Sequence, residues 1–145
     1  MGQAREVMDR LTESLTRQAD SRRVGELFAE DAVAFTPDGG EMHGRAEITQ
    51  YWRQLTDMIT DARYEPVHSY EIGNTAIDEG FFTGRNTGPI QLPSGESLPP
   101  TQKQIRLRGV DLATVGAEGK IVDYRLYFDE MEFMEQLGLL PEELT

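Results

Sequence analysis

The chain has 145 residues, no cysteine and a formal net charge of −12. A chain of this length fits one domain with a core large enough to fold without disulfides, so we expect a single domain over residues 1–145. The lack of cysteine excludes thiol nucleophiles and thiolate metal sites, and the negative charge argues against nucleic acids and anionic membranes as partners. Because no apolar signal segment or membrane-length apolar run is present, we expect a soluble, cytoplasmic protein.

The first part of the chain has the apolar spacing of amphipathic helices. Residues 4–15 repeat apolar side chains at helical intervals, and Ser21 predicts the N-cap of a short second helix. Residues 45–59 give the strongest prediction, because their apolar residues form one continuous face that includes Tyr51 and Trp52. These two aromatic residues fit core packing, and the alternative is that they line a pocket.

The remainder of the chain is mostly strand. We predict a short strand in residues 32–36 that ends in a Pro-Asp-Gly-Gly turn, then longer strands, a Pro/Gly-rich crossing loop and a closing helix. The later segments are 63–73, 75–88 and 105–115 with 120–128 as strands, 86–101 as the loop, and 129–140 as the helix. Helices followed by a run of antiparallel strands indicate an α+β fold, in which N-terminal helices cover the concave face of a curved sheet and enclose a pocket.

The strand at 105–115 places a carboxylate within an apolar stripe. Alternate side chains share a face of a strand, so Gly109 and Asp111 lie among the apolar residues Ile105, Leu107 and Ala113. Burial disfavours the charged form of a carboxyl and raises its pKa, which suits a general acid/base. Two alternatives stay open: a structural hydrogen bond to Asp111, and a different register that exposes it.

Three further polar side chains lie on the predicted strands. Without a bulge, either register of the 75–88 strand sends Asp78 or Glu79 inward. An inward carboxylate could pair with Asp111, and the alternative is a solvated carboxylate near the sheet edge. His68 shares a strand face with tyrosines, which suggests a place in a pocket wall or on the surface. Two isolated histidines and scattered acids lack the spacing of a metal site, so we predict no metal.

Three segments of the sequence carry a family resemblance. Residues 26–48 (ELFAEDAVAFTPDGGEMHGRAEI), 88–101 (GPIQLPSGESLPPT) and 119–141 (GKIVDYRLYFDEMEFMEQLGLLP) resemble SnoaL-like polyketide cyclases of the nuclear transport factor 2-like (NTF2-like) superfamily. The resemblance extends from about Glu6 to Pro141. It implies a cone of helices on a curved antiparallel sheet, a homodimer, and a small, mostly apolar ligand bound without a cofactor. The cyclases of this family close a polyketide ring by an intramolecular aldol step.

The resemblance also identifies the positions at which this chain departs from the family. The acid/base aspartate of the cyclases aligns with Leu126, their assisting histidine with Asp111, and a pocket asparagine with a position near Ala34. Asp111 is therefore the ionisable residue among these three positions. If Leu126 faces the pocket as the family implies, Val122 and Phe128 face it as well.

We therefore expect an enzyme of secondary metabolism that resembles a SnoaL-like cyclase and acts on a hydrophobic, aromatic or polyketide-type substrate. Two alternatives stay open: an epoxide-opening enzyme, in which Asp78 or Glu79 supplies a second carboxylate, and a ligand-binding protein without turnover. In the cyclase hypothesis Asp111 is the acid/base, and Tyr124 and His68 are its hydrogen-bonding partners. The residues expected to bind substrate are Trp52, Tyr51, Leu126, Phe128 and Gly109.

Overall fold

The computed structural model describes residues 2–17, 20–92 and 94–140. Within these ranges the helices are α1 (Gln3–Thr16), α2 (Ser21–Glu26), α3 (Arg45–Met58) and α4 (Glu130–Gln136). The strands are β1 (Phe28–Thr36), β2 (Gly40–His43), β3 (Ile59–Ile72), β4 (Thr75–Asn86), β5 (Ile90–Gln91), β6 (Ser97–Leu98), β7 (Gln104–Val115) and β8 (Ile121–Phe128). No helix in the described part of the chain is both long and apolar enough to cross a bilayer.

Six strands form one curved sheet in the order β2-β1-β8-β7-β4-β3, and the short strands β5 and β6 form a separate hairpin in the crossing loop. The helices pack on the concave face, so the predicted α+β architecture is confirmed. One pairing differs from the antiparallel expectation, because β1 runs parallel to β8. These two strands are far apart in sequence, and so no short hairpin connection forces them to be antiparallel.

The amphipathic helices bury the faces that the sequence predicts. On α1 the side chains of Ala4, Val7, Met8 and Leu11 are buried. The second helix begins one residue earlier than expected, since Asp20 and not Ser21 is its N-cap. The Asp20 carboxylate accepts a hydrogen bond from the backbone N–H of Arg22 at 3.0 Å, which satisfies a donor that the first turn leaves free.

The register of β7 agrees with the sequence pattern. Ile105, Leu107 and Ala113 are buried, and Gly109 and Asp111 lie half-buried on the same face. The pairing of β7 with β4 and β8 sets Asp111 between Asp78 on one side and Leu126 on the other. Asp111 therefore lies at the centre of the concave face, beneath the helices.

A buried ion pair connects α1 to the sheet. The guanidinium of Arg5 donates two hydrogen bonds to the carboxylate of Asp78, each at 2.7 Å. The two side chains are only 11% and 5% exposed, respectively. Arg5 also donates to Asp9, whose side chain is 58% exposed. The pair fixes the N-terminal helix against the middle of β4, and a bidentate charged pair is well suited to that task because its geometry is specific.

We expect Asp78→Asn to lower the free energy of unfolding by about 3 kcal/mol, since it leaves the Arg5 cation buried without its charge partner. Asp9→Asn removes the other carboxylate that Arg5 contacts. Because Asp9 is exposed, we expect that control to change stability by less than about 1 kcal/mol. Urea unfolding of both variants measures the difference, and equal effects would contradict the assigned role of the buried pair.

Candidate active site

A cavity of about 100 Å³ lies between the helices and the concave face of the sheet. One end reaches the surface beside Asp38, which is exposed and belongs to the lining. Most of the wall is apolar or aromatic. The lining residues are Leu11, Thr12, Leu15, Thr16, Asp38, Tyr51, Trp52, Leu55, Tyr64, Gly80, Phe82, Leu107, Gly109, Asp111, Tyr124, Leu126, Phe128 and Phe133.

The main polar contact inside the cavity joins Asp111 to Tyr124. The Tyr124 hydroxyl donates a hydrogen bond to Oδ2 of Asp111 at 2.7 Å. Tyr124 is held in place by edge-on contacts with two rings, Phe28 at 5.9 Å and Trp52 at 5.6 Å between ring centroids. The predicted partnership of Asp111 with Tyr124 is therefore present in the structure, and Oδ2 of the carboxyl group has a fixed donor.

The environment of Asp111 disfavours its charged form. Burial raises the pKa of Asp111 to about 7, and the nearby negative charge of Asp78 acts in the same direction. The hydrogen bond from Tyr124 and the positive charge of Arg5 partly oppose this increase. Near neutral pH both the acid and its anion are thus populated. Burial also raises the pKa of Tyr124 well above its usual value, so this residue stays a phenol and a donor.

A pair of glycines lies on the floor of the cavity beside Asp111. Gly80 of β4 is the register partner of Gly109 of β7, and both line the cavity. A Cβ atom on Gly80 would lie 2.5 Å from the Tyr64 hydroxyl and 2.5 Å from the backbone oxygen of Glu65. Gly80 therefore allows the Tyr64 ring to lie across β4, close to the position of Asp111.

Two lining residues carry hydrogen-bond donors without an acceptor. The Tyr64 hydroxyl and the Trp52 indole Nε1–H are buried, and neither has a hydrogen-bond partner in the described part of the protein. Burial raises the pKa of Tyr64, which keeps its hydroxyl protonated. Buried polar groups nearly always have partners, so these two donors suggest places where a bound molecule would present oxygen.

Of the two predicted β4 carboxylates, Asp78 faces inward and Glu79 faces outward. Asp78 is 3% exposed and is not among the lining residues. Both of its oxygens accept hydrogen bonds from Arg5. The sequence analysis did not identify Arg5, although its position beside the apolar stripe of α1 was a signal that it could approach the sheet. Asp111 is therefore the carboxyl group available deep in the cavity.

His68 lies on the surface and not in the pocket wall, so its predicted role as a hydrogen-bonding partner of Asp111 is wrong. A bulge between Pro66 and His68 adds one residue to β3, so that His68 pairs with the outward Glu79. His68 is exposed and stacks on Tyr70, with ring centroids 6.0 Å apart. The extra residue reverses the alternation of side chains along β3, and His68 therefore lies on the outer face of the sheet.

Val122 also differs from its predicted position. It is 37% exposed, because the pairing of β7 with β8 shifts between Thr114 and Val115. The position that aligns with the family asparagine is Ala34, which is buried in the core and does not line the cavity.

The predicted substrate-binding residues do line the cavity. Trp52 and Tyr51 come from α3, Gly109 from β7, and Leu126 and Phe128 from β8. Their part in binding stays a prediction. Sequence reasoning did not identify Tyr64 or Phe133 as lining residues, since neither lay on an element whose orientation the pattern determined.

The described acidic and histidine side chains do not form a metal site. Across residues 2–17, 20–92 and 94–140, no group of three or more His, Asp or Glu side chains is arranged to hold a metal ion.

Comparisons with solved structures show what this fold resembles. A candidate SnoaL-like polyketide cyclase from Jannaschia sp. CCS1 is 17% identical, with 96% of this chain and 94% of that chain covered and a TM-score of 0.79. IdmH, a candidate polyketide cyclase from Streptomyces antibioticus, is 21% identical, with coverage of 94% and 99% and a TM-score of 0.72. An NTF2-like protein of unknown function from Burkholderia pseudomallei K96243 is 19% identical, with coverage of 94% and 98% and a TM-score of 0.72. At these identities the likeness shows the fold.

Sequence comparison identifies the family to which the chain belongs. No curated protein matches the chain. The family model of the SnoaL-like domain matches residues 8–124, from the middle of α1 to the first half of β8, and this range includes the Asp111 and Tyr124 positions. The chain therefore belongs to the SnoaL-like domain family and has the NTF2-like fold.

Proposed function

We propose that this protein is a cofactor-free enzyme of secondary metabolism that carries out acid/base chemistry on a carbonyl compound, in the manner of a SnoaL-like cyclase. The observation that carries the proposal is the Asp111 carboxyl. It lies in a mostly apolar cavity, is hydrogen-bonded by Tyr124, and has a pKa raised to about 7. A group that exchanges protons near the working pH is what general acid/base catalysis requires.

The arrangement supports an aldol-type ring closure. The Asp111 anion removes a proton from the carbon next to a carbonyl, which leaves an enolate. The enolate carbon then bonds to the carbon of a second carbonyl in the same molecule, and the resulting alkoxide takes the proton back from Asp111. Because Tyr124 occupies Oδ2, Oδ1 is the oxygen that reaches the substrate.

The two buried donors without an acceptor, on Tyr64 and Trp52, contribute to the reaction in a second way. An enolate or alkoxide oxygen carries developing charge, and fixed donors in a site of low polarity stabilise such charge. Tyr64 and Trp52 are the donors that have no acceptor. Leu126, Phe128 and Phe133 supply apolar wall that would hold a flexible chain in a folded shape.

The structure gives less support to epoxide opening by two carboxylates. That reaction needs a second carboxylate that can activate water or protonate oxygen. Both oxygens of Asp78 accept hydrogen bonds from Arg5, and Glu79 faces the other side of the sheet. The Asp38 carboxylate is at the exposed mouth of the cavity, where it accepts a hydrogen bond from Tyr51. A ligand-binding role without turnover is separated from catalysis by the following experiment.

We expect the protein to accelerate exchange of the α-protons of 2-tetralone with solvent deuterium, because this exchange is the first half of an aldol reaction. Asp111→Asn should retain the fold and reduce the catalysed rate by at least ~10²-fold, the low end for loss of a general base. Glu79→Gln removes a carboxylate from the opposite face of the sheet and should leave the rate unchanged. Proton NMR in D₂O measures the exchange. Equal rates for the wild type and Asp111→Asn, or no catalysed exchange by the wild type, would contradict the proposal.

We further propose that the protein is a homodimer formed through the outer face of the sheet. On that face the partly exposed side chains of Ile77, Val110, Leu112 and Tyr127 form the outer patch. They are adjacent because Ile77 pairs with Leu112 and Val110 pairs with Tyr127. α1 and α3 lie on the opposite face. Apolar patches of this kind mark interaction surfaces.

We expect the wild type to behave in solution as a particle of about twice the chain mass of 16.4 kDa. Tyr127→Arg introduces a charge into the outer patch and should give a monomer. Ile72→Arg is the control, since Ile72 is 70% exposed and outside the patch. Size-exclusion chromatography with light scattering measures the mass. A monomeric wild type, or a dimer that survives Tyr127→Arg, would contradict the proposal.

A further inference from the structure

The charged residues among the described cavity lining are all acidic. Among the described lining residues there are two carboxyl groups, Asp38 at the mouth and Asp111 inside, and no lysine, arginine or histidine. Arg5 is a cation behind the wall that acts on Asp111, and its bidentate contact with Asp78 neutralises its charge. A negatively charged ligand would therefore lose its hydration and meet no compensating charge.

The aromatic content of the same lining is high. The rings come from α3, from three of the strands and from α4, so they surround the cavity and do not form one wall. They belong to Tyr51, Trp52, Tyr64, Phe82, Tyr124, Phe128 and Phe133. The faces of such rings attract cations, and the attraction strengthens when the cation is desolvated.

The mouth of the cavity has a fixed negative group. The Tyr51 hydroxyl donates to Oδ1 of Asp38 at 2.9 Å, which holds this carboxylate beside the opening. The hydroxyls of Thr12 and Thr16 also line the cavity, and they donate to backbone carbonyls of α1. Their oxygens consequently present acceptor lone pairs, which again favour a positive group over a negative one.

We propose that the cavity selects a ligand that carries an ammonium group next to an aromatic or apolar body and discriminates against carboxylates. The inference deepens the proposed function, and it rests on that function in placing the reacting molecule in the same cavity. The chemistry that recognises the ligand is the ring of aromatic side chains together with the carboxyl groups of Asp111 and Asp38. The expected substrate is thus an amine-bearing carbonyl compound, not a free carboxylic acid.

Recognition of a cation would be linked to proton release from Asp111. The charged or titratable groups that act on it are Arg5 from α1, Tyr64 from β3, Asp78 from β4 and Tyr124 from β8. Burial raises the pKa of Asp111 to about 7. Below that pH the group is neutral, and above it the group is an anion. The affinity for an ammonium ligand should therefore increase as the pH rises through 7, and the affinity for an uncharged ligand should not change.

Three probes of similar shape test the proposal: benzyltrimethylammonium, uncharged 2-methyl-1-phenyl-2-propanol, and phenylacetate. Trp52 is the single tryptophan of the chain and lines the cavity, so its fluorescence reports binding. At pH 8 we expect the ammonium probe to bind about tenfold more tightly than the alcohol, and phenylacetate to bind more weakly than either. The preference for the ammonium probe should decrease between pH 8 and pH 6.

Variants separate the cavity charge from the overall charge of the protein. Asp111→Asn should remove the pH dependence and most of the preference for the ammonium probe, and Asp38→Asn should reduce the preference at every pH. Glu79→Gln makes the same change in net charge on the outer face and should preserve both effects. Circular dichroism checks that each variant is folded.

Several results would overturn the inference: no binding of the ammonium probe, equal affinity for phenylacetate, or a preference that survives in Asp111→Asn. Failure here is distinct from failure of the proposed function. A protein that catalyses tetralone exchange without preferring the ammonium probe retains the acid/base assignment and loses only the ligand class. A protein that prefers the ammonium probe without catalysing exchange is a binding protein for amines.

Discussion

Taking the Asp111 carboxyl out of water is the constraint on which the chemistry of this protein depends. The concave face of the sheet and the helices above it provide a mostly apolar enclosure, and one hydrogen bond of 2.7 Å from Tyr124 compensates only part of the lost hydration. The acid form is stabilised as a result, and burial raises the pKa of the group to about 7. The same carboxyl would be a permanent anion on the surface and of little use for moving protons at neutral pH.

The surrounding structure keeps this enclosure intact. Arg5 and Asp78 neutralise each other directly beside Asp111, so the neighbouring strand contributes a carboxylate whose oxygens are both occupied. The glycine pair at positions 80 and 109 lies on the floor of the cavity, and Gly80 leaves the room that the Tyr64 ring occupies. Tyr64 lies across this space, and its donor and that of Trp52 have no acceptor. The site therefore combines one proton-exchanging group with donors and aromatic walls.

The sequence predicts the parts of this arrangement that depend on local periodicity. The alternation in 105–115 correctly placed Asp111 on the core face, and the helical spacing around Trp52 correctly placed that residue above the sheet. Local periodicity does not predict which strands and side chains pair when they are far apart in sequence. The parallel contact of β1 with β8 and the bulge beside His68 leave no signal in a two-residue period. The sequence therefore left His68 between the pocket wall and the surface, and its expected role as a partner of Asp111 is wrong. The contact between Arg5 and Asp78 joins residues 73 positions apart, and no local rule specifies such a pair.

Titration of the Asp111 side chain tests directly whether the cavity takes its carboxyl group out of water. The ¹³Cγ chemical shift of Asp111, assigned by comparison with Asp111→Asn, reports ionisation without any substrate. We expect the ¹³Cγ shift to change with pH in a transition whose midpoint is near pH 7. A midpoint near pH 4, the ordinary value of a solvated aspartate, would show that the carboxyl is not desolvated by the cavity and would contradict its assignment as the acid/base group.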